Sequence, residues 1–140
     1  MSDIFSKKKR SEIMSKISGK DTKPEILVRR FLFNKGFRFR KNDKRYPGKP
    51  DIVLPKYKTI IFINGCFWHG HYCKAGKLPE TRRQFWKEKI QSNINRDEKN
   101  IKTLKLNDWN LIVLWQCEIK NKESQNHRLN LLVNEILNPF

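Results

Sequence analysis

Two cysteines and two histidines fall within eight residues, Cys66-Phe67-Trp68-His69-Gly70-His71-Tyr72-Cys73, and a third cysteine, Cys117, follows much later. Zinc takes four soft or borderline ligands in a tetrahedron, all from the protein when the site is structural. Cys66, His71, Cys73 and Cys117 would make such a closed Cys3His site and tie a loop to the element that carries Cys117. The alternative is three unrelated buried thiols with surface histidines, because the spacing is not one of the common zinc-finger patterns. An odd number of cysteines gives no disulfide framework. If the set closes around a metal, His69 is left over. A histidine two residues from a ligand and not used as one is held rigidly, which suits a general base.

A carboxylate stands at the start of an apolar run, Pro50-Asp51-Ile52-Val53-Leu54. An Asp there is either a turn residue or a ligand that holds a divalent cation against a phosphodiester. Phosphodiester cleavage needs charge neutralisation, a base for water and, ideally, a second carboxylate. Asp51, His69 and Glu25 are the candidates, although Glu25 also fits a capping role. Phe67 and Trp68 stand side by side in one loop and Trp86 follows near a helix start. Exposed rings of this kind open a duplex by wedging between base steps, and packing around the metal loop is the other use for them.

These residues sit in a strongly basic chain. It has 140 residues with 31 Lys+Arg against 14 Asp+Glu, a net charge of +17. That excludes an acidic solvating protein and points to a polyanionic partner. Residues 1–49 carry 16 basic against 5 acidic side chains and residues 74–105 carry 10 against 4, so two segments hold nearly all of the excess. Sixteen aromatics (9 Phe, 4 Trp, 3 Tyr) exclude a disordered basic tail. No apolar stretch approaches the roughly 20 residues of a transmembrane span, which favours nucleic acid over a membrane. The start MSDIFSKKKR lacks a signal-peptide apolar region, so a cytoplasmic location is expected.

The positioning elements follow from pattern. Residues 1–20 read as a basic arm, ordered only on binding, and 21–140 as one domain. Thr22-Lys23-Pro24-Glu25 fits a capping box that starts a helix, and Gly36 ends it. Phe37-Arg38-Phe39-Arg40 alternates as a strand does. After the turn at Tyr46–Pro50, Asp51–Leu54 and Lys58–Ile63 read as two more strands, the second buried on both faces. Residues 81–105 read as one long helix. At about 100° per residue, Trp86, Ile90, Ile94, Ile101 and Leu104 share a stripe roughly 80° wide, with Lys89, Asn93 and Arg96 on its flank. Trp109–Trp115 is a fourth strand with its tryptophans in the core, and Leu129–Leu137 a closing helix. The expected order is α-β-β-β-α-β-α. A metal-dependent nuclease is the function these residues suggest; a zinc-stabilised nucleic-acid-binding module without catalysis is the alternative.

Pro50-Asp51, the block Phe62-Ile63-Asn64-Gly65-Cys66-Phe67-Trp68-His69-Gly70-His71-Tyr72-Cys73 and Phe85-Trp86-Lys87-Glu88-Lys89-Ile90 closely resemble the very short patch repair (Vsr) endonucleases, from about Arg10-Ser11 through Cys117. The resemblance implies an α/β, restriction-endonuclease-like core with a mixed central sheet flanked by helices and a structural zinc site. It implies a Mg2+-dependent endonuclease that nicks double-stranded DNA 5′ of the thymine in T:G mismatches left by deamination of 5-methylcytosine. Asp51 and the backbone carbonyl of Ile63 would hold magnesium, His69 would be the base and Glu25 an outer helper. Cys66, His71, Cys73 and Cys117 match the zinc ligands, Phe67, Trp68 and Trp86 the intercalating rings, and Met14 a minor-groove wedge. Lys89 and Asn93 match contacts near the mismatch. A bacterial monomer associated with the nucleoid when bound to DNA, and a functional link to a DNA cytosine methyltransferase, also follow from it. A less selective nuclease on the same core is the alternative. Asn64 stands where the family often has His or Asp; it cannot shuttle a proton, although it can hydrogen-bond a phosphate or leaving group. The second acid and lysine usual in restriction-type cores are missing after the third strand, which places more of the chemistry on His69.

Overall fold

The computed structural model describes residues 22–139. Met14 and the expected arm 1–20 lie outside the described residues. Helix α1 spans Lys23–Asn34. Strands β1 (Arg40–Lys41), β2 (Ile52–Leu54) and β3 (Thr59–Asn64) follow, then the long helix α2 (Arg83–Leu106), strand β4 (Asn110–Trp115) and helix α3 (Lys122–Leu137). The order matches the sequence expectation. The four strands form one mixed sheet in the order β1-β2-β3-β4. The first two pairings are antiparallel, and β3 runs parallel to β4 from Thr59↔Asn110 to Asn64↔Trp115.

Successive β3 side chains point to opposite faces, and both faces are covered. On one, Ile61 and Ile63 join Ile52, Leu54, Ile112 and Leu114 against Val28 and Leu32 of α1 and Leu129, Leu132 and Ile136 of α3. On the other, Ile60 and Val53 pack with Leu104 of α2, bordered by Phe62, Trp109 and Tyr46. A central strand wrapped on both sides must be apolar almost throughout, which is what Thr59–Ile63 is.

Two boundaries differ from expectation by more than two residues. Gly36 (φ 93°) terminates α1 in a Schellman arrangement, with its N–H on the Phe33 carbonyl and the Phe37 N–H on that of Leu32. Phe37 is therefore spent on the helix end and turns into the core, so the strand expected at 37–40 shrinks to Arg40–Lys41. Helix α3 starts seven residues before Leu129, capped by the Asn121 side chain on the Ser124 N–H at 2.9 Å. Its first two turns lie toward solvent and so carry no apolar rhythm. Thr22 does take the N-cap position of α1, but its side chain makes no capping bond. Glu25 is instead buried, facing the cavity described below.

Candidate active site and metal centre

The antiparallel ladder between β2 and β3 stops at Ile52↔Ile61. Asp51, one residue before β2, takes up the next inward donor: its Oδ2 accepts the Ile63 N–H at 2.6 Å. The expected strand start at Asp51 is thus displaced by one residue, because the side chain replaces a ladder partner. Burial pushes the Asp51 carboxyl up to about 7, with the negative charge of Glu25 adding to the rise and the Ile63 N–H opposing it. Glu25 arrives from α1 and is paired in turn with Arg29 at 3.7 Å. Two carboxylates forced together in a buried place are a hard-oxygen donor set that a divalent cation would relieve.

His69 comes to the same place from the loop after β3. Its Nδ1 meets Asp97 Oδ2 of α2 at 2.5 Å, which fixes the ring and leaves Nε2 for chemistry. Asp97 escaped the sequence reading. A signal existed: it lies one turn beyond Asn93, on the polar flank already traced through Lys89, Asn93 and Arg96. Glu25, Asp51, Ile63, Asn64, Trp68, His69, Lys89, Asn93 and Asp97 all line one cavity of about 890 Å³. Residues expected from four separate stretches of chain therefore share a single space.

The aromatic candidates also meet. Phe67, Trp68 and Trp86 form a triangle of edge-on rings with centroids 5.2, 5.3 and 5.7 Å apart, and Trp68 remains 41% exposed. The cluster rises from the loop and from the first turn of α2, beside the cavity. Asn93 is buried, and its amide is committed within the protein: Nδ2 donates to the Trp68 carbonyl at 2.9 Å, and Oδ1 accepts from Arg96 at 2.6 Å. Lys89 is exposed at the cavity rim.

Just beyond lies the sulfur cluster. One ligand atom each from Cys66, His71, Cys73 and Cys117 lies within 4.8 Å of the others. A tetrahedral zinc with bonds of about 2.3 Å needs sulfurs roughly 3.8 Å apart, so small movements would close the set. The His71 imidazole beside Cys73 draws its thiol down to about 6, whereas burial pushes Cys117 up to about 12. Two glycines permit the loop. Gly70 adopts φ +66°, and a side chain there would strike Ile94 of α2; at Gly76 one would collide with the His71 carbonyl. Trp115, expected in the core, instead stacks flat on His71 at 4.1 Å and meets His69 edge-on at 6.5 Å. The last residue of β4 thus touches one histidine of the sulfur cluster and one of the cavity.

Comparisons with known proteins show the family of this chain. The family described as DNA mismatch endonuclease Vsr matches residues 2–75. The type II nicking enzyme V.NmeAIP of Neisseria meningitidis serogroup A is 58% identical over 136 residues, covering 97% of each chain. The chain belongs to the Vsr family. Among other Vsr relatives, the type II nicking enzyme V.XorIIP of Xanthomonas oryzae is 40% identical over 92% of this chain and 95% of its own. The DNA mismatch endonuclease Vsr of Escherichia coli K12 is 39% identical over 88% of this chain and 79% of its own. The mixed sheet between α1 and α3 on one side and α2 on the other is the restriction-endonuclease-like core of the Vsr family. No helix among the described residues is long and apolar enough to cross a membrane.

Proposed function

We propose that this Vsr-family chain is a DNA endonuclease that nicks one strand of a duplex 5′ of the thymine in a T:G mismatch, with Mg2+ as cofactor. The observation that carries the reading is the meeting of Asp51, Glu25 and the Asp97-held His69 in one cavity, beside a partly exposed aromatic triangle. Asp51 and the Ile63 carbonyl would hold the magnesium, which when bound offsets the charge of the phosphodiester. Zinc at Cys66, His71, Cys73 and Cys117 is structural: four protein donors leave no open position.

In the hydrolytic step, His69 Nε2 takes a proton from the attacking water, whose oxygen adds to phosphorus as the bond to the leaving oxygen breaks. Asp97 stabilises the imidazolium that results. Asn64, buried at the end of β3 and lining the cavity, donates a hydrogen bond to a phosphate or leaving-group oxygen but moves no proton. Glu25 keeps the metal-holding carboxylate in place. Phe67, Trp68 and Trp86 wedge into the stack, which costs least at a poorly paired step and so favours the mismatch. Met14, on a DNA-gripping arm of residues 1–20 attached to a nuclease domain of 21–140, would wedge from the other groove. Lys89 and Asn93 stand near the mismatched pair. The protein acts as a monomer, in the cytoplasm, on mismatches left where 5-methylcytosine made by a DNA cytosine methyltransferase has deaminated.

The test is incubation of matched and T:G duplexes with Mg2+, mapping the nick on a sequencing gel. A single nick 5′ of the mismatched thymine is expected, abolished in Asp51→Ala while DNA binding persists. Equal cutting of T:G and T:A duplexes would overturn the mismatch reading.

A further inference from the structure

The cavity contains three carboxylates, from Glu25, Asp51 and Asp97. A phosphodiester entering it brings a further negative charge, which cations of the protein can offset beside a bound metal. Lys23, Lys49 and Lys89 line the cavity too, but Arg96 is the one whose head group a side-chain hydrogen bond orients. Arg96 lines the same cavity, one residue from the Asp97 that holds His69. Its guanidinium is not left to wander. One NH2 proton is donated to Asn93 Oδ1 at 2.6 Å, and Asn93 is itself buried and anchored to the Trp68 carbonyl. The partner is neutral, and among the described residues no carboxylate forms an ion pair with Arg96. Asp97, its neighbour in sequence, turns its Oδ2 to the imidazole instead. Among the described residues Arg96 thus has four of its five N–H donors left over, in an orientation set by a buried amide.

Resting on the nuclease reading above, we infer that Arg96 grips the phosphate to be cleaved, donating to its non-bridging oxygens as charge builds on them. A guanidinium suits this task because its planar fork matches two phosphate oxygens at once, while a third edge stays on Asn93. The chain Trp68 carbonyl, Asn93, Arg96 further means that the loop carrying the wedge and the group gripping the phosphate share one anchor. A base pair that lets Trp68 seat fully would leave Asn93, and so Arg96, in register with the cavity.

The test measures single-turnover nicking of a T:G duplex by the full-length, zinc- and magnesium-loaded protein and by Arg96→Ala and Arg96→Lys. Each is run with an ordinary scissile phosphate and with a neutral methylphosphonate in its place on either oxygen. Arg96→Ala should slow nicking about a hundredfold, the scale of losing one donor to a developing oxyanion. Arg96→Lys should recover only part, as its ammonium supplies the charge without the planar fork that matches two phosphate oxygens. The decisive readout is binding: one methylphosphonate isomer should weaken the wild-type complex about tenfold yet leave the Arg96→Ala complex unchanged, a coupling that misfolding of the loop would not create. Equal sensitivity of both proteins to both isomers, or nicking by Arg96→Ala within threefold of wild type, overturns the inference and leaves the nuclease reading standing. Failure of the wild-type protein to nick any duplex overturns both.

Discussion

Asp97 Oδ2 and His69 Nδ1 lie 2.5 Å apart, 28 residues distant in sequence, and together form a carboxylate-oriented imidazole aimed into the cavity of Asp51. The carboxylate selects the tautomer with the proton on Nδ1 and stabilises the cation formed when Nε2 accepts a proton. Asp97→Asn keeps the shape and loses both effects. Its single-turnover nicking rate should fall by about a hundredfold or more, the scale of a general-base contribution. DNA affinity by gel shift should stay within a few-fold.

Magnesium affinity should depend on the charge state of Asp51. In the metal-free protein burial holds this carboxyl at about 7, above its ordinary 3.8. The folded state then binds a proton that the unfolded state has released, so metal-free stability should fall as pH rises from about 4 to about 7 and level off above. Magnesium binding displaces that proton. Thermal unfolding at pH 5.5 and pH 8 should therefore show a larger stabilisation by Mg2+ at pH 8. In Asp51→Asn the difference should vanish.

Removing the metal proposed at the sulfur cluster should loosen the loop that carries both His69 and Trp68. The sulfur cluster links the loop at Cys66, His71 and Cys73 to the turn after β4 at Cys117. Cys117→Ser and strong chelation should each lower the melting midpoint by on the order of 10 °C. Cobalt substitution followed by its thiolate absorption would report the ligand set. A weaker visible band in Cys117→Ser is expected, and an unchanged one would remove that residue from the centre.

Arg128 braces the same turn from α3. It lies 3.2 Å from Glu118, the neighbour of Cys117, and 2.5 Å from Glu135, and is itself buried. Glu118 also accepts the Trp115 N–H at 2.8 Å. Arg128→Met should cost about 2 kcal/mol, below the range for fully buried pairs because both carboxylates are about a third exposed. Urea denaturation measures this directly. Competition with a zinc chelator should also show weaker metal binding, since the turn bearing Cys117 loses its support.

The residue types that make the site were plain in the sequence, because metal ligands and strand-end carboxylates are rare and their chemistry is narrow. Their convergence was not. Asp51 reaches Ile63 only because the β2–β3 ladder ends where it does, and a ladder's end depends on pairing register rather than on composition. Asp97 was hidden on a helix rich in charges, where one more acid reads as solvated. Glu25 satisfied a capping pattern, but the helix took its cap from the backbone conformation of Thr22 alone and turned the carboxylate inward. The strand expected at Phe37–Arg40 failed because two local uses competed for Phe37, and the helix end took it. Periodicity identified β3 and α2 well, since both bury long faces; it missed the start of α3, where no face is buried.

The loop of Trp68 and His69 is fastened to α2 at two points, Trp68 to Asn93 and His69 to Asp97, so consecutive loop residues meet helix positions about one turn apart. This imposes a spacing rule on the gene. A single codon inserted between 93 and 97 would swing one fastening by about 100° around the helix and part Trp68 from His69. Extra codons in the exposed stretch around 77–82 would leave both fastenings intact. Length variation among descendants of this sequence should accumulate in the second interval and be absent from the first.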